Sequence, residues 1–143
     1  MKTFSVSLDV VSSRWHLNEL TTQLGTEPSS DSHDLGSPRG RNQAWQVTIW
    51  RFGSQEPESA SLEHHCENVL SRANSAGVLK SLRSIPDIRA TMNIAVFFDT
   101  ASCSVLIPSA SLEVMARYGL QLLVTCYPSE RQDERTYNEG SAP

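Results

Sequence analysis

The chain has 143 residues, with 16 acidic and 12 basic side chains, a formal charge of −4, 38% hydrophobic residues and 20% charged ones. That is enough chain for one globular domain that buries roughly 70% of its unfolded surface. Only two lysines occur, and with the acidic balance this argues mildly against a nucleic-acid partner, whose phosphates want clustered Lys and Arg; a mildly acidic protein is steered toward a basic surface instead.

The first residues alternate polar and apolar side chains and reach an acid at Asp9. They hold no continuous apolar run of the kind a secretory signal requires, and nowhere does an apolar stretch reach membrane-spanning length. The three cysteines, Cys66, Cys103 and Cys126, each fall in an apolar pattern. An odd number of thiols so placed predicts a cytoplasmic protein with reduced, mostly buried cysteines.

Phe4, Val6, Leu8 and Val10 predict a first strand over 3–11. Leu17, Leu20 and Leu24 then form one helical stripe, closed by Gly25 with Pro28 just beyond. Residues 26–43 are a polar, breaker-rich segment, longer than a compact domain keeps without a reason, and such loops are disordered or bind something. A second strand is predicted over Ala44–Phe52, with Trp45, Val47 and Ile49 on one face and Trp50 and Phe52 on the other. After a polar loop carrying Glu56 and Glu58, a helix over Leu62–Asn74 presents Leu62, Cys66, Val69, Leu70 and Ala73, with Ser59 or Ser61 as its cap. Val78–Arg83 adds a helical turn before Pro86.

The strand over 88–99 has the clearest pattern, with Ile88, Ala90, Met92, Ile94, Val96 and Phe98 alternating with polar or small neighbours. Cys103–Ile107 reads as a further strand. Ala110–Tyr118 reads as a helix capped by Ser109 and ended by Gly119. Leu120–Tyr127 is continuously apolar, which predicts an interior strand. The polar segment 129–143 is predicted to be a disordered tail, leaving 1–128 as the domain. The strand–helix units ending at Gly25 and Gly119 echo one another, as in a pseudo-duplicated ferredoxin-like plan.

No segment carries a specific catalytic, metal or phosphate motif. His64, His65 and Cys66 are adjacent, but consecutive helical residues point about 100° apart and zinc pairs on helices use i, i+3 or i+4. Cys66 fits the core stripe and the histidines fit the solvent side, so no metal is expected. A Cys–His nucleophile needs an electropositive, partly exposed thiol, whereas Cys103 and Cys126 alternate in phase with strand residues. Gly36–Arg41 lacks the Gly-Lys-Ser/Thr end of a phosphate loop. Asp31, Asp34, Glu56 and Glu58 are loop-borne acids suited to a basic partner.

Leu20-Thr21-x-x-Leu24-Gly25-x-x-Pro28, Gly36, the Trp45–Trp50 strand, the Leu62–Leu70 helix, the Val96–Asp99 strand end and Gly119-Leu120 to Tyr127-Pro128 resemble the bacterial domain-of-unknown-function family 4279. The resemblance covers residues 3–128 and rests on structural motifs. It implies a small bacterial cytoplasmic protein with no known catalytic residues. By analogy alone, short families of this kind look like immunity proteins encoded beside secreted toxins. The long loop 29–43 is where this chain departs from the family pattern.

The sequence therefore predicts a single α+β domain, a mixed or antiparallel sheet of about five strands with helices mainly on one face, ferredoxin-like in plan. The expected function is non-enzymatic protein binding without cofactor, nucleic acid or membrane. An immunity protein that neutralises a basic bacterial toxin is the leading case, with Asp31, Asp34, Trp50, Glu56 and Glu58 at the contact. The alternative is a small-molecule sensor or enzyme using a groove near Trp45, Trp50 and the 29–43 loop. Oligomeric state is left open by the sequence.

Overall fold

The computed structural model describes residues 1–129; the predicted tail lies outside the described residues. Its elements are β1 (Lys2–Ser12), α1 (Leu17–Leu24), β2 (Thr48–Gly53), α2 (Leu62–Ser75), α3 (Val78–Leu82), β3 (Arg89–Phe98), α4 (Ser109–Arg117) and β4 (Gln121–Pro128). The four strands form one mixed sheet in the order β2-β1-β3-β4. β1 runs antiparallel to both β2 and β3, and β4 runs parallel to β3.

Strand alternation divides the sheet into two unlike faces. Val6, Leu8 and Val10 of β1, Trp50 and Phe52 of β2, and Met92, Ile94 and Val96 of β3 share one face. They are buried in a single cluster with Leu20, Leu24, Cys66, Val69, Leu79 and Met115 from the helices. The other face presents Ser5, Ser7, Asp9, Arg51, Thr91, Asn93 and Ala95, with no helix among the described residues packed over it. The α+β plan with helices on one face is as predicted. The elements follow in the order βαβααβαβ, two βαβ runs with α2 and α3 between them, but β1 and β2 are antiparallel neighbours whereas β3 and β4 are parallel ones.

Local chemistry explains the element ends. Gly25 and Gly119 take the left-handed conformation, φ 68° and 67°, that releases the chain after α1 and α4. Ser61 caps α2 by accepting from the His64 amide at 3.2 Å. The residue before α4 is Pro108, so the cap predicted at Ser109 falls one residue late.

Four expectations change. Cys103–Ile107 is irregular chain rather than a strand, which leaves four strands instead of five. The second strand begins at Thr48, because the Trp45 amide donates to the Ser37 carbonyl and its carbonyl accepts from the Gly36 amide, pairing it within its own loop. β4 is an edge strand, not an interior one, and Leu122, Leu123 and Tyr127 on it are exposed. In consequence Cys126 is exposed and Cys103 half-buried, while Cys66 alone of the three is buried. Burial pushes the Cys66 thiol up to about 11, so at neutral pH it stays protonated and inert.

The segment between α1 and β2 is ordered along the outer edge of β2. The Ser29 amide donates to the Arg51 carbonyl at 2.7 Å, and His33 and Ile49 exchange two backbone bonds at 3.0 and 2.8 Å. Ser32 Oγ accepts from the Arg51 amide and Ser29 Oγ from the Gly53 amide, both at 2.9 Å. Asp34 ties the same segment to α1. Its carboxylate accepts from the Leu17 amide at 2.9 Å and lies 3.1 Å from His16 Nδ1. Among the described residues, no helix is long and apolar enough to cross a membrane.

Candidate functional site

On the helix-free face the strand register sets Asp9 opposite Arg51 and Ser7 opposite Asn93. Asp9 is buried, and both its oxygens are taken. Oδ1 accepts from Ser7 Oγ at 2.7 Å and Arg51 Nε at 3.1 Å. Oδ2 accepts from Arg51 Nη2 and Asn93 Nδ2, each at 3.2 Å. A buried carboxylate is tolerated only when paired and hydrogen-bonded in this way. Arg51 reaches on to Asp31 Oδ2 at 3.3 Å. Burial by itself would lower the Arg51 pKa most, but the bonds and charges of Asp9 and then Asp31 outweigh it and hold the guanidinium above its ordinary value.

Beside this network lies a cleft of about 380 Å³ whose walls include Phe4, Asp31, Ser54, Glu56, Glu58 and Tyr127. It exists because β2 stops at Gly53 while β1 continues toward its amino end. The following segment tracks β1 through two backbone bonds, Ser54 to the Val6 carbonyl at 2.8 Å and Phe4 to the Glu58 carbonyl at 3.4 Å. Between those contacts the Gln55 amide donates to Asn68 Oδ1 of α2 at 3.0 Å and the Glu56 amide to Ser54 Oγ at 3.1 Å, which leaves the Glu56 side chain exposed. Three carboxylates thus share the cleft with one guanidinium, Arg51, which favours cationic ligands.

His65 forms part of the same wall. It is 2% exposed, against the expectation that it faces solvent. The reason is helical spacing: position 65 lies three after Leu62 and four before Val69, squarely on the buried stripe. Its Nδ1 and Ser54 Oγ share a 2.7 Å hydrogen bond, and its buried Nε2 has no partner among the described residues. A serine paired to a histidine can in principle be activated, but no acid orients the second ring nitrogen.

Of the predicted site residues, the structure brings Asp31, Glu56 and Glu58 together at this cleft. Asp34 is elsewhere, at the amino end of α1. Trp50 has no exposed surface at all, so it cannot serve as a surface anchor. It alternates with Arg51 on a strand whose helix-side residues are all buried, and Phe52 packs edge-on against it at 5.7 Å. Trp45 is also separate, stacked on His33 at 4.0 Å with the Arg39 guanidinium 4.4 Å from its ring centre. At the groove expected near Trp45, Trp50 and the 29–43 loop, Trp50 is therefore buried in the core and Trp45 is packed against His33 and Arg39 of the loop. Exposed aromatic surface lies instead at Phe97 and Tyr127, stacked 5.2 Å apart beside the cleft.

Sequence reasoning missed Asp9, Arg51, Asn93, Ser54 and His65 as members of one site. A usable signal was the acid at Asp9 inside a strand and the arginine between Trp50 and Phe52, since charges at such positions face an uncovered sheet surface or a partner. Among the described residues no cluster of three or more histidines, cysteines and acids is placed to hold a metal ion. A second cleft of about 440 Å³ lies between α2 and α4, walled by Glu63, Glu67, Leu70, Val114 and Tyr118, away from the predicted residues.

The family model described as Domain of unknown function (DUF4279) matches residues 2–129. No curated protein and no solved structure matches the chain.

Proposed function

The chain belongs to the DUF4279 family, and from that premise we propose that it is a non-enzymatic protein-binding module whose acidic cleft receives a basic protein. The specific form of this reading is an immunity protein that neutralises a basic bacterial toxin in the cytoplasm of the cell that makes it. The observation that supports it most is the convergence of Asp31, Glu56 and Glu58 on one cleft beside an exposed Phe97–Tyr127 stack. Rim charges of this kind set the association rate and the choice of partner, while aromatic surface supplies the slow dissociation. The Asp9–Arg51–Asn93 network beneath is internally satisfied, which gives the rim a rigid floor.

The test is to express the products of the genes flanking this one and measure binding and protection of growth in pairs. A basic toxin domain from that neighbourhood should bind and lose its toxicity. The double reversal Glu56→Lys, Glu58→Lys should slow association at least tenfold at low salt and leave thermal stability unchanged. Absence of binding and of protection for every flanking product would overturn the immunity reading.

A second reading, small-molecule recognition or turnover in the same cleft, draws on the 2.7 Å Ser54–His65 pair and the several polar side chains in mutual reach. It predicts that Ser54→Ala abolishes a ligand-dependent rise in melting temperature. Protein binding at the rim should survive that change.

A further inference from the structure

We infer that β4 is a self-association edge, at which two copies of this chain join their sheets by antiparallel β4–β4 pairing about a two-fold axis. The starting observation is the state of the strand. Gln121–Pro128 pairs with β3 on one side, and among the described residues its other side makes no backbone hydrogen bond. A strand of eight residues is about 27 Å long at ~3.4 Å per residue, a long run of unpaired donors and acceptors. Natural sheets blunt such edges with lysine, proline, bulges or a covering loop. Here the paired strand carries no charged residue, and its one proline is the last residue, Pro128.

Both faces of the strand call for cover. Leu122 lies on the helix side and is 39% exposed, and Leu123 lies on the open side and is 51% exposed. Strands read as continuously apolar when both faces are buried. β4 is apolar on both faces apart from Gln121 and Thr125, and among the described residues no neighbour covers its outer side.

Charge and closure select a second copy as the occupant. The chain carries a formal charge of −4, and copies meeting through the acidic cleft would oppose like charges. At β4 no charge opposes another. An antiparallel pair is also closed by its own two-fold axis. The resulting sheet has eight strands and ends on β2 at both extremities. Each of those ends is already sealed by Ser29, Ser32 and His33, so the dimer leaves no bare edge and growth stops there.

Sedimentation equilibrium on the full chain tests this. The expected result is a monomer–dimer equilibrium, with amide exchange at 121–127 slowing as concentration rises. Leu123→Lys should weaken dimerisation at least tenfold with an unchanged melting temperature of the monomer. Leu106→Lys, at a residue 89% exposed in the irregular 99–108 segment, should leave the dimer intact and controls for general loss of apolar surface. A chain that stays monomeric to millimolar concentration would overturn the inference, as would a dimer indifferent to Leu123→Lys. Binding of a heterologous strand at this edge by a chain that never self-associates would overturn it too.

Discussion

The two edges of this sheet solve the same physical problem in opposite ways. At β2 the outward backbone groups of Ile49, Arg51 and Gly53 are each bonded to the segment 29–33. At β4 no described residue plays that part. The long polar segment before β2, which looks like a loop in search of a ligand, is thus an edge seal built from small hydroxyls. Serine suits that task because its side chain can substitute for a strand's backbone partner without requiring a regular register. The strand rich in leucine is the one left open. Polar composition marks the closed edge and apolar composition the open one, the reverse of a simple hydropathy reading.

The comparison is broken most severely from beneath β2. Trp50 is fully buried against Phe52 on the sealed edge, and Trp50→Ala should cost about 3–5 kcal/mol by leaving a cavity. Trp50→Phe should cost far less, because it also removes an indole N–H that has no partner among the described residues. Chemical denaturation of the two variants checks this. Equal losses would show that the ring volume is not what β2 contributes. Partner affinity per folded molecule should be unchanged in both, since no part of Trp50 reaches the surface.

A second, smaller break acts through the side chain that joins seal to sheet. Arg51 binds Asp9 on one side and Asp31 of the sealing segment on the other. Arg51→Gln leaves the buried Asp9 carboxylate with Ser7 and Asn93 as its donors. Stranding a buried charge costs about 3–5 kcal/mol, and the lower end is expected because Arg51 is partly open to solvent. Asp9→Asn combined with Arg51→Gln should recover part of that loss, which a double-mutant cycle measures. Full additivity would mean that the pair is not coupled.

How much of this was legible follows from which signals are local. The alternation from Ile88 to Phe98 gave β3 and its core face, since period two is written into adjacent residues. The stripe of Leu17, Leu20 and Leu24 before Gly25 gave α1 for the same reason. β4 was correctly read as a strand but misplaced, because an apolar run on both faces looks identical in an interior strand and in an unpartnered edge. His65 was misread because its neighbours at three and four residues, Leu62 and Val69, outweigh the polarity of the residue itself. The Asp9–Arg51 pair was out of reach: its members are far apart in sequence, and only the β1–β2 register brings them face to face. Acid-bearing loops could be named, but not that Asp31 and Glu56 would share a cleft while Asp34 would not.

The smallest expected effect concerns Asp34, and its pH dependence distinguishes a pin from a binding residue. The Leu17 amide at the amino end of α1 lowers the Asp34 pKa most, partial burial opposes this, and His16 adds to the lowering. A carboxylate at that end satisfies an orphan amide and meets the positive end of the helix dipole. Asp34→Ala should therefore cost about 1 kcal/mol, the usual price of a lost cap. Because the folded-state pKa lies below the ordinary value of 3.8, the stabilisation is fully present above that value. It fades as the pH falls through the lowered folded-state pKa, where both folded and unfolded carboxyls are protonated. Melting curves of Asp34→Ala and the parent protein should differ by a few degrees at pH 7 and converge in acid, once the pH is below the lowered folded-state pKa. A gap that persists in acid would assign the effect to packing rather than to the charge. Because Asp34 lies away from the acidic cleft, partner binding at pH 7 should be the same in both proteins, and a loss of affinity would return Asp34 to the contact surface.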